Sequence, residues 1–389
     1  MDDINIWWII PVFLVAFGIS FFMTPISMWI ARMIGAVDVP TDNRRMHRRA
    51  IPRFGGMAIF LSVTITILLF EGDEPKIRIA LLGGAFIYAL GALDDVFNLP
   101  AWVKFTVQTA VAVFMCALGI RITVIANYFE GAGYIQIGLI TSFIISVIWI
   151  VGITNTINLI DGLDGLAAGI ATICSFSMAY IAYIRGSVGG MTIVCFAFIA
   201  IAGACIGFLP FNYSPARTFM GDGGALFLGY MIAIMSVISP LRRATLVAAV
   251  VPIVTLAIPI FDTSFAIIRR IINHQPIMSA DGDHLHHRLM ESGYGQRRAV
   301  LMLYGITGIM GIASILVSRE LYKEAVVLAV IAITYLYVFL TDPNHNVAKK
   351  KREKKEAEQA AKLAAAAELA MAAGREAVKT AGEENKTEN

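Results

Sequence analysis

Charge is scarce in this chain: Asp, Glu, Lys and Arg make up 15% of 389 residues, against 58% hydrophobic. That excludes an ordinary soluble domain, and a mean hydropathy of +0.72 points to a polytopic membrane protein. Cysteine is nearly missing as well. Cys116, Cys174, Cys195 and Cys205 each lie inside an apolar run with no metal-ligand spacing, so they read as small core residues. The first apolar segment, "WWIIPVFLVAFGISFFM", lacks a basic leader and a small-x-small cleavage site; it follows the acidic "MDDIN" and reads as a retained span.

What is there instead is a series of apolar runs. A helix needs roughly 20 residues to cross the hydrocarbon. The pattern predicts an all-α polytopic membrane protein of about 11 transmembrane helices, near 5–26, 55–70, 77–93, 103–120, 137–154, 165–184, 190–209, 224–239, 244–264, 299–317 and 325–341. An odd number puts the two ends on opposite sides. The net charge of +3 becomes informative once it is placed by loop. With the N-terminus outside, the 31 Lys and Arg divide 23 inside to 8 outside, and the C-terminus is cytoplasmic.

In that orientation the residues that are costly in a membrane gather on one face. A charged group in hydrocarbon costs several kcal/mol, so such residues are buried in protein or face water, and are often functional. In "TNTINLIDGLDGLAAGI", Asn155, Asn158, Asp161 and Asp164 recur every third residue. Each is a helical neighbour of the next, while the row drifts about 60° per step around the helix. "ALDDVFN" carries Asp94 and Asp95, which diverge by about 100° on a helix. One acid of that pair is therefore expected to act on substrate while the other orients it or a metal. "FMGDGGALF" places Asp222 at a helix start between glycines that admit a pyrophosphate, a carboxylate suited to a hard divalent cation. "DGDHLHHRL" packs His284, His286, His287 and Arg288 together; the spacing is not that of a zinc site and suits phosphate. "NRRMHRRAIPRFGG" concentrates Arg44, Arg45, Arg48, Arg49 and Arg53 just inside the membrane, where they attract anionic headgroups or a phosphate-bearing lipid. Pro252 and Pro259 kink one span.

Taken together, "HRRAIPRFGG", "GALDDVFNLPAWVKF", "NTINLIDGLDGLAAG", "FNYSPARTFMGDGGALFLGY", "PIFDTSFAIIRR" and "DHLHHRL" resemble the polyprenyl-phosphate N-acetylhexosamine-1-phosphate transferases over about residues 15–340. The chain looks most like the bacterial undecaprenyl-phosphate GlcNAc-1-phosphate transferases that prime teichoic acid, O-antigen or similar envelope glycans. The phospho-MurNAc-pentapeptide branch typically has three contiguous histidines, whereas here Leu285 interrupts them.

The resemblance implies that undecaprenyl phosphate attacks the β-phosphate of UDP-GlcNAc at the cytoplasmic face of a bacterial plasma membrane and releases UMP. Its catalytic residues would be Asp94, Asp95 and Asp161, the first two preparing or positioning the lipid phosphate. Asp222 would be the magnesium ligand, with manganese as a substitute. Asn155, Asn158, Asp164, Arg48, Arg53, His284, His286, His287 and Arg288 would bind substrate. Direct attack and a prior aspartyl phospho-enzyme both remain compatible with these residues. The same reaction on another UDP-N-acetylhexosamine, such as UDP-MurNAc-pentapeptide, is the alternative within enzymes. An ion-coupled transporter is the alternative outside them. The expected partners are the two substrates, the bilayer and a second copy of the chain, with no nucleic acid. Residues 1–341 form the transmembrane domain. Residues 342–389, Ala-rich and charged from "KKKREKK" onward, form a partly disordered cytoplasmic tail.

Overall fold

A computed structural model describes residues 6–39, 50–127, 133–184, 191–238 and 295–341, with isolated positions between 253 and 264. Ten helices account for most of them: α1 (Ile6–Ile34), α2 (Gly56–Glu71), α3 (Pro75–Phe97), α4 (Ala101–Ala117), α5 (Leu139–Ile160), α6 (Leu166–Ile184), α7 (Met191–Asn212), α8 (Gly221–Ile238), α9 (Gln296–Ser318) and α10 (Tyr322–Thr341). Two short antiparallel ribbons join them. In β1 (Val37–Asp38) and β2 (Ile51–Pro52), Val37 pairs with Pro52; in β3 (Val124–Asn127) and β4 (Gly133–Gln136), Val124 pairs with Gln136.

Among the described residues, α1, α3, α5, α6, α7, α8 and α9 are long and apolar enough to cross a membrane, while α2 and α4 are shorter apolar helices. The polytopic helical class is thus as expected. Ten of the eleven expected segments coincide with described helices. The remaining one, 244–264, lies mostly outside the described residues, as do the tail, Arg44, Arg45, Arg48, Arg49, His284, His286, His287 and Arg288.

Burial grades from the centre outward. In its most apolar window α8 is 83% buried, α7 78% and α1 22%. The helix α8 packs against α2, α3, α5, α6 and α7, so the helix expected to open on Asp222 is the axis of the bundle. Small residues permit this closeness. Gly203 and Gly207 form a GxxxG stripe on α7, and a Cβ at either would press on the α1 backbone, at Phe13 and Phe17.

Three chain reversals end up side by side at one end of the bundle. The helix α3 stops where Asn98, at φ 50°, donates its N–H to the Asp94 carbonyl at 2.8 Å; Pro100, in extended conformation, then starts α4. The α5 helix continues through Asn155 and Asn158 to Ile160, further than the apolar pattern suggested, with Thr154 and Asn155 each donating to the carbonyl four residues back. A turn at 161–165 ends on Gly165 (φ 81°) before α6. The α7–α8 connection is laid against β2: Phe219 donates to Pro52, Gly55 to Phe219 and Gly56 to Met220, at 2.8–3.0 Å.

Candidate active site

The last turn of α3 carries Asp94 and Asp95, and their divergence on the helix sends them to different partners. Asp94 is buried. Its Oδ1 accepts the Leu99 N–H at 2.6 Å, and its Oδ2 accepts from the Lys104 ammonium at 2.7 Å. Lys104 reaches from the first turn of α4 and donates also to Asp222 Oδ2 at 2.9 Å. A single ammonium therefore stands between two carboxylates that lie 128 residues apart in sequence (222 minus 94). Charge-assisted bonds of this length are among the stronger ones in proteins.

Asp95 turns the other way, onto the start of α8. Its Oδ1 accepts the Asp222 N–H at 2.9 Å and its Oδ2 the Gly223 N–H at 3.1 Å, and its side chain is 1% exposed. The Arg53 guanidinium, half-exposed at the end of β2, lies 4.0 Å from Asp95 Oδ1. Gly91, one turn before Asp95 on α3, lets the helices approach so closely that a Cβ there would sit 2.5 Å from the Asp222 backbone.

Asp161 lies in the turn after α5, its N–H donated to the Asn158 carbonyl at 3.3 Å. Burial pushes its carboxyl well above the usual carboxylate range; the negative charges of Asp222 and Asp95 push the same way, and Arg53 opposes them. It therefore belongs to the same electrostatic cluster. Asp164 does something more local: Oδ2 accepts the Ala216 N–H at 3.0 Å and ties the α5–α6 turn to the α7–α8 connection. Asn212 reinforces that tie, accepting from the Gly165 N–H and donating to the Thr218 carbonyl at 3.1 and 3.0 Å. Tyr304 donates to the Gly165 carbonyl at 2.5 Å.

The structure thus brings together Asp94, Asp95, Asp222, Asp161 and Arg53, with Asp164 on the supporting turn. Asn155 is drawn elsewhere: its Nδ2 donates to Gln108 Oε1 on α4 at 2.5 Å and to the Val151 carbonyl at 2.8 Å, clasping α5 to α4. Asn158 is partly buried, one turn nearer the acids. Arg48, His284, His286, His287 and Arg288 lie outside the described residues.

The residue of this cluster that sequence reasoning did not place in the candidate site is Lys104. Its signal was present, as the one base near the Asp94–Asp95 pair, but nothing local says that it also reaches Asp222. Gln108, one turn further along α4, was missed too; it is buried, and its Nε2 has no partner among the described residues. No three His, Cys, Asp or Glu side chains among the described residues form a ready metal cage. Four acids nonetheless outnumber the two bases Lys104 and Arg53 there, and two carboxylate oxygens already share one cationic group. That excess of hard oxygen donors fits magnesium, which binds through one or two carboxylates and keeps its other positions for water and phosphate.

Residues 77–240 match the family model described as glycosyl transferase family 4. Over 334 residues the chain is 42% identical to a probable undecaprenyl-phosphate N-acetylglucosaminyl 1-phosphate transferase of Bacillus subtilis (strain 168), covering 85% of this chain and 90% of that protein. It is 32% identical over 345 residues to a decaprenyl-phosphate N-acetylglucosaminephosphotransferase of Mycobacterium leprae, covering 81% and 86%. It is 30% identical over 292 residues to an undecaprenyl-phosphate alpha-N-acetylglucosaminyl 1-phosphate transferase of Thermotoga maritima, covering 73% and 83%.

Proposed function

Since the chain belongs to glycosyl transferase family 4, with polyprenyl-phosphate N-acetylglucosamine-1-phosphate transferases as its relatives, we propose that it transfers GlcNAc-1-phosphate from UDP-GlcNAc to undecaprenyl phosphate. The site faces the cytoplasm of a bacterial cell, and the product is the first lipid-linked intermediate of an envelope glycan of the teichoic acid or O-antigen kind. The observation that carries this reading is the convergence of Asp94, Asp222 and Lys104, with Asp161 near, where three helix reversals meet at one end of the bundle.

The lipid phosphate enters from the bilayer, and one of its oxygens attacks the β-phosphorus of UDP-GlcNAc. A P–O bond forms there as the bond to the bridging oxygen breaks; UMP leaves, and undecaprenyl-diphospho-GlcNAc stays in the membrane. Phosphoryl transfer leaves little covalent chemistry to the protein, so its work is positioning and charge neutralisation. Lys104 is held by Asp94 and Asp222 where a phosphate oxygen can replace one carboxylate as its partner. Asp94, so paired, prepares the attacking lipid phosphate. Asn158 and Asp161 line the side toward the uridine and pyrophosphate, and Arg53 supplies a second cation. Asp222 with Asp94 would hold magnesium, which when bound offsets the pyrophosphate charge; manganese would serve similarly.

The transporter and UDP-MurNAc-pentapeptide readings are not favoured, since the relatives described above bear N-acetylglucosamine-1-phosphate transferase names. The test is UMP release by detergent-purified protein given UDP-GlcNAc and undecaprenyl phosphate, with magnesium or with chelator. UMP should appear only with lipid acceptor and metal together. Release independent of the acceptor, or none at all, would overturn the reading.

A further inference from the structure

Asp95 is placed for a different task from its neighbour, and we propose that it is a positioning residue: a carboxylate from α3 that caps the amino end of α8 and thereby sets Asp222 against Lys104. The first turn of any helix leaves its amide groups without internal acceptors, a need usually met by a side chain just before the helix. Here the residue before α8 is Met220, which offers no such acceptor, and the turn is begun by Gly221 at φ 72°. The missing acceptor comes from 127 residues away. Both Asp95 oxygens are used, one on the Asp222 N–H and one on the Gly223 N–H. Acceptor oxygens at that end also suit the helix dipole.

The surroundings leave Asp95 little freedom to do anything else. A Cβ on Gly221 would run into Asp95 Oδ2 and the Arg53 carbonyl, so the joint closes only with glycine there. Arg53 holds Oδ1 from the other side. With its side chain 1% exposed, Asp95 has its oxygens turned to backbone amides, whereas the Asp94 and Asp222 side chains, 9% and 20% exposed, share the Lys104 ammonium. The "DD" pair is therefore divided: Asp94 faces the reacting groups and Asp95 fixes the frame in which Asp222 stands. This deepens the transferase reading and rests on it for the kinetic arm alone.

The experiment compares Asp95→Asn and Gly221→Ala with wild type in detergent or nanodiscs. Asp95→Asn keeps one acceptor oxygen and turns a donor on the second amide; Gly221→Ala presses on the same joint, at Asp95 Oδ2 and the Arg53 carbonyl, while leaving every acid of the site unsubstituted. Hydrogen–deuterium exchange of the peptide containing residues 221–225 should quicken about three- to tenfold in both, as expected for a weakened cap. Exchange of α9 should not change. In the UMP assay kcat should fall about tenfold or more while KM for undecaprenyl phosphate stays within about twofold, and the double variant should be no worse than the poorer single one. Unchanged exchange at 221–225 in Asp95→Asn, or a rise in KM for undecaprenyl phosphate with kcat kept, overturns the proposal and returns Asp95 to the lipid phosphate. If wild type releases no UMP, the transferase reading fails while the exchange arm still decides the cap.

Discussion

Replacing Lys104 with methionine keeps the length of the stem and removes the ammonium that Asp94 and Asp222 share at 2.7 and 2.9 Å. Each bond to a charged group is worth about 1.5–3 kcal/mol, and partial exposure of Lys104 and Asp222 favours the lower end. Two carboxylates would then face each other without compensation. The fold should tolerate this, because the bundle around α8 is held by apolar packing and by the Asp95 and Asp164 ties, which Lys104 does not join. Catalysis should not. Removing one preorganised donor from a site where charge develops costs on the order of a hundredfold in rate. The uncompensated carboxylates should also hold a divalent cation at least as tightly as before, so the magnesium concentration for half-maximal activity should stay or fall while kcat drops. Lys104→Arg should not rescue, because a planar guanidinium does not reproduce a point charge between two single oxygens. The assay is UMP release across a magnesium titration, with melting temperature as the control for folding. A Lys104→Met enzyme turning over near the wild-type rate would refute the shared-ammonium reasoning.

Asp222→Asn keeps shape and removes charge; it should lower the rate on the order of a hundredfold or more, compared at equal amounts of folded protein, while Asp164→Asn, whose tie is to the Ala216 amide, should cost less. Neutralising Arg53, or Arg48 in the same basic stretch, should raise an apparent KM more than it lowers the amount of membrane-inserted protein; unchanged kinetics in both would leave the stretch as a topology signal only. A cysteine introduced near Lys349 should resist labelling from outside intact cells, as the 23-to-8 division of basic residues predicts for a cytoplasmic end; efficient labelling there would reverse the topology.

The membrane class, the helical segments and the gathering of the acids could be read before any coordinates, because each depends on local composition. About 20 apolar residues make a span wherever they occur, and an Asp among them carries its cost wherever the helix is placed. Helical geometry even required Asp94 and Asp95 to part company. It could not say which way each would point, since azimuth is set by what packs alongside. The close α3–α8 approach at Gly91 turned Asp95 onto the amides of Asp222 and Gly223 and left Asp94 facing Lys104. Asn155 shows the same limit: its three-residue spacing placed it in the polar row, and the proximity of α4 then gave its amide to Gln108. Lys104 was legible as a nearby base and illegible as a bridge, because its second partner is 118 residues away. Sequence determined by itself which residues are too polar for lipid and at which end of the helices they fall. Tertiary structure alone decided how they divide the work, because the bonds that set Asp95 on the Asp222 and Gly223 amides and Lys104 on Asp222 run between helices distant in the chain.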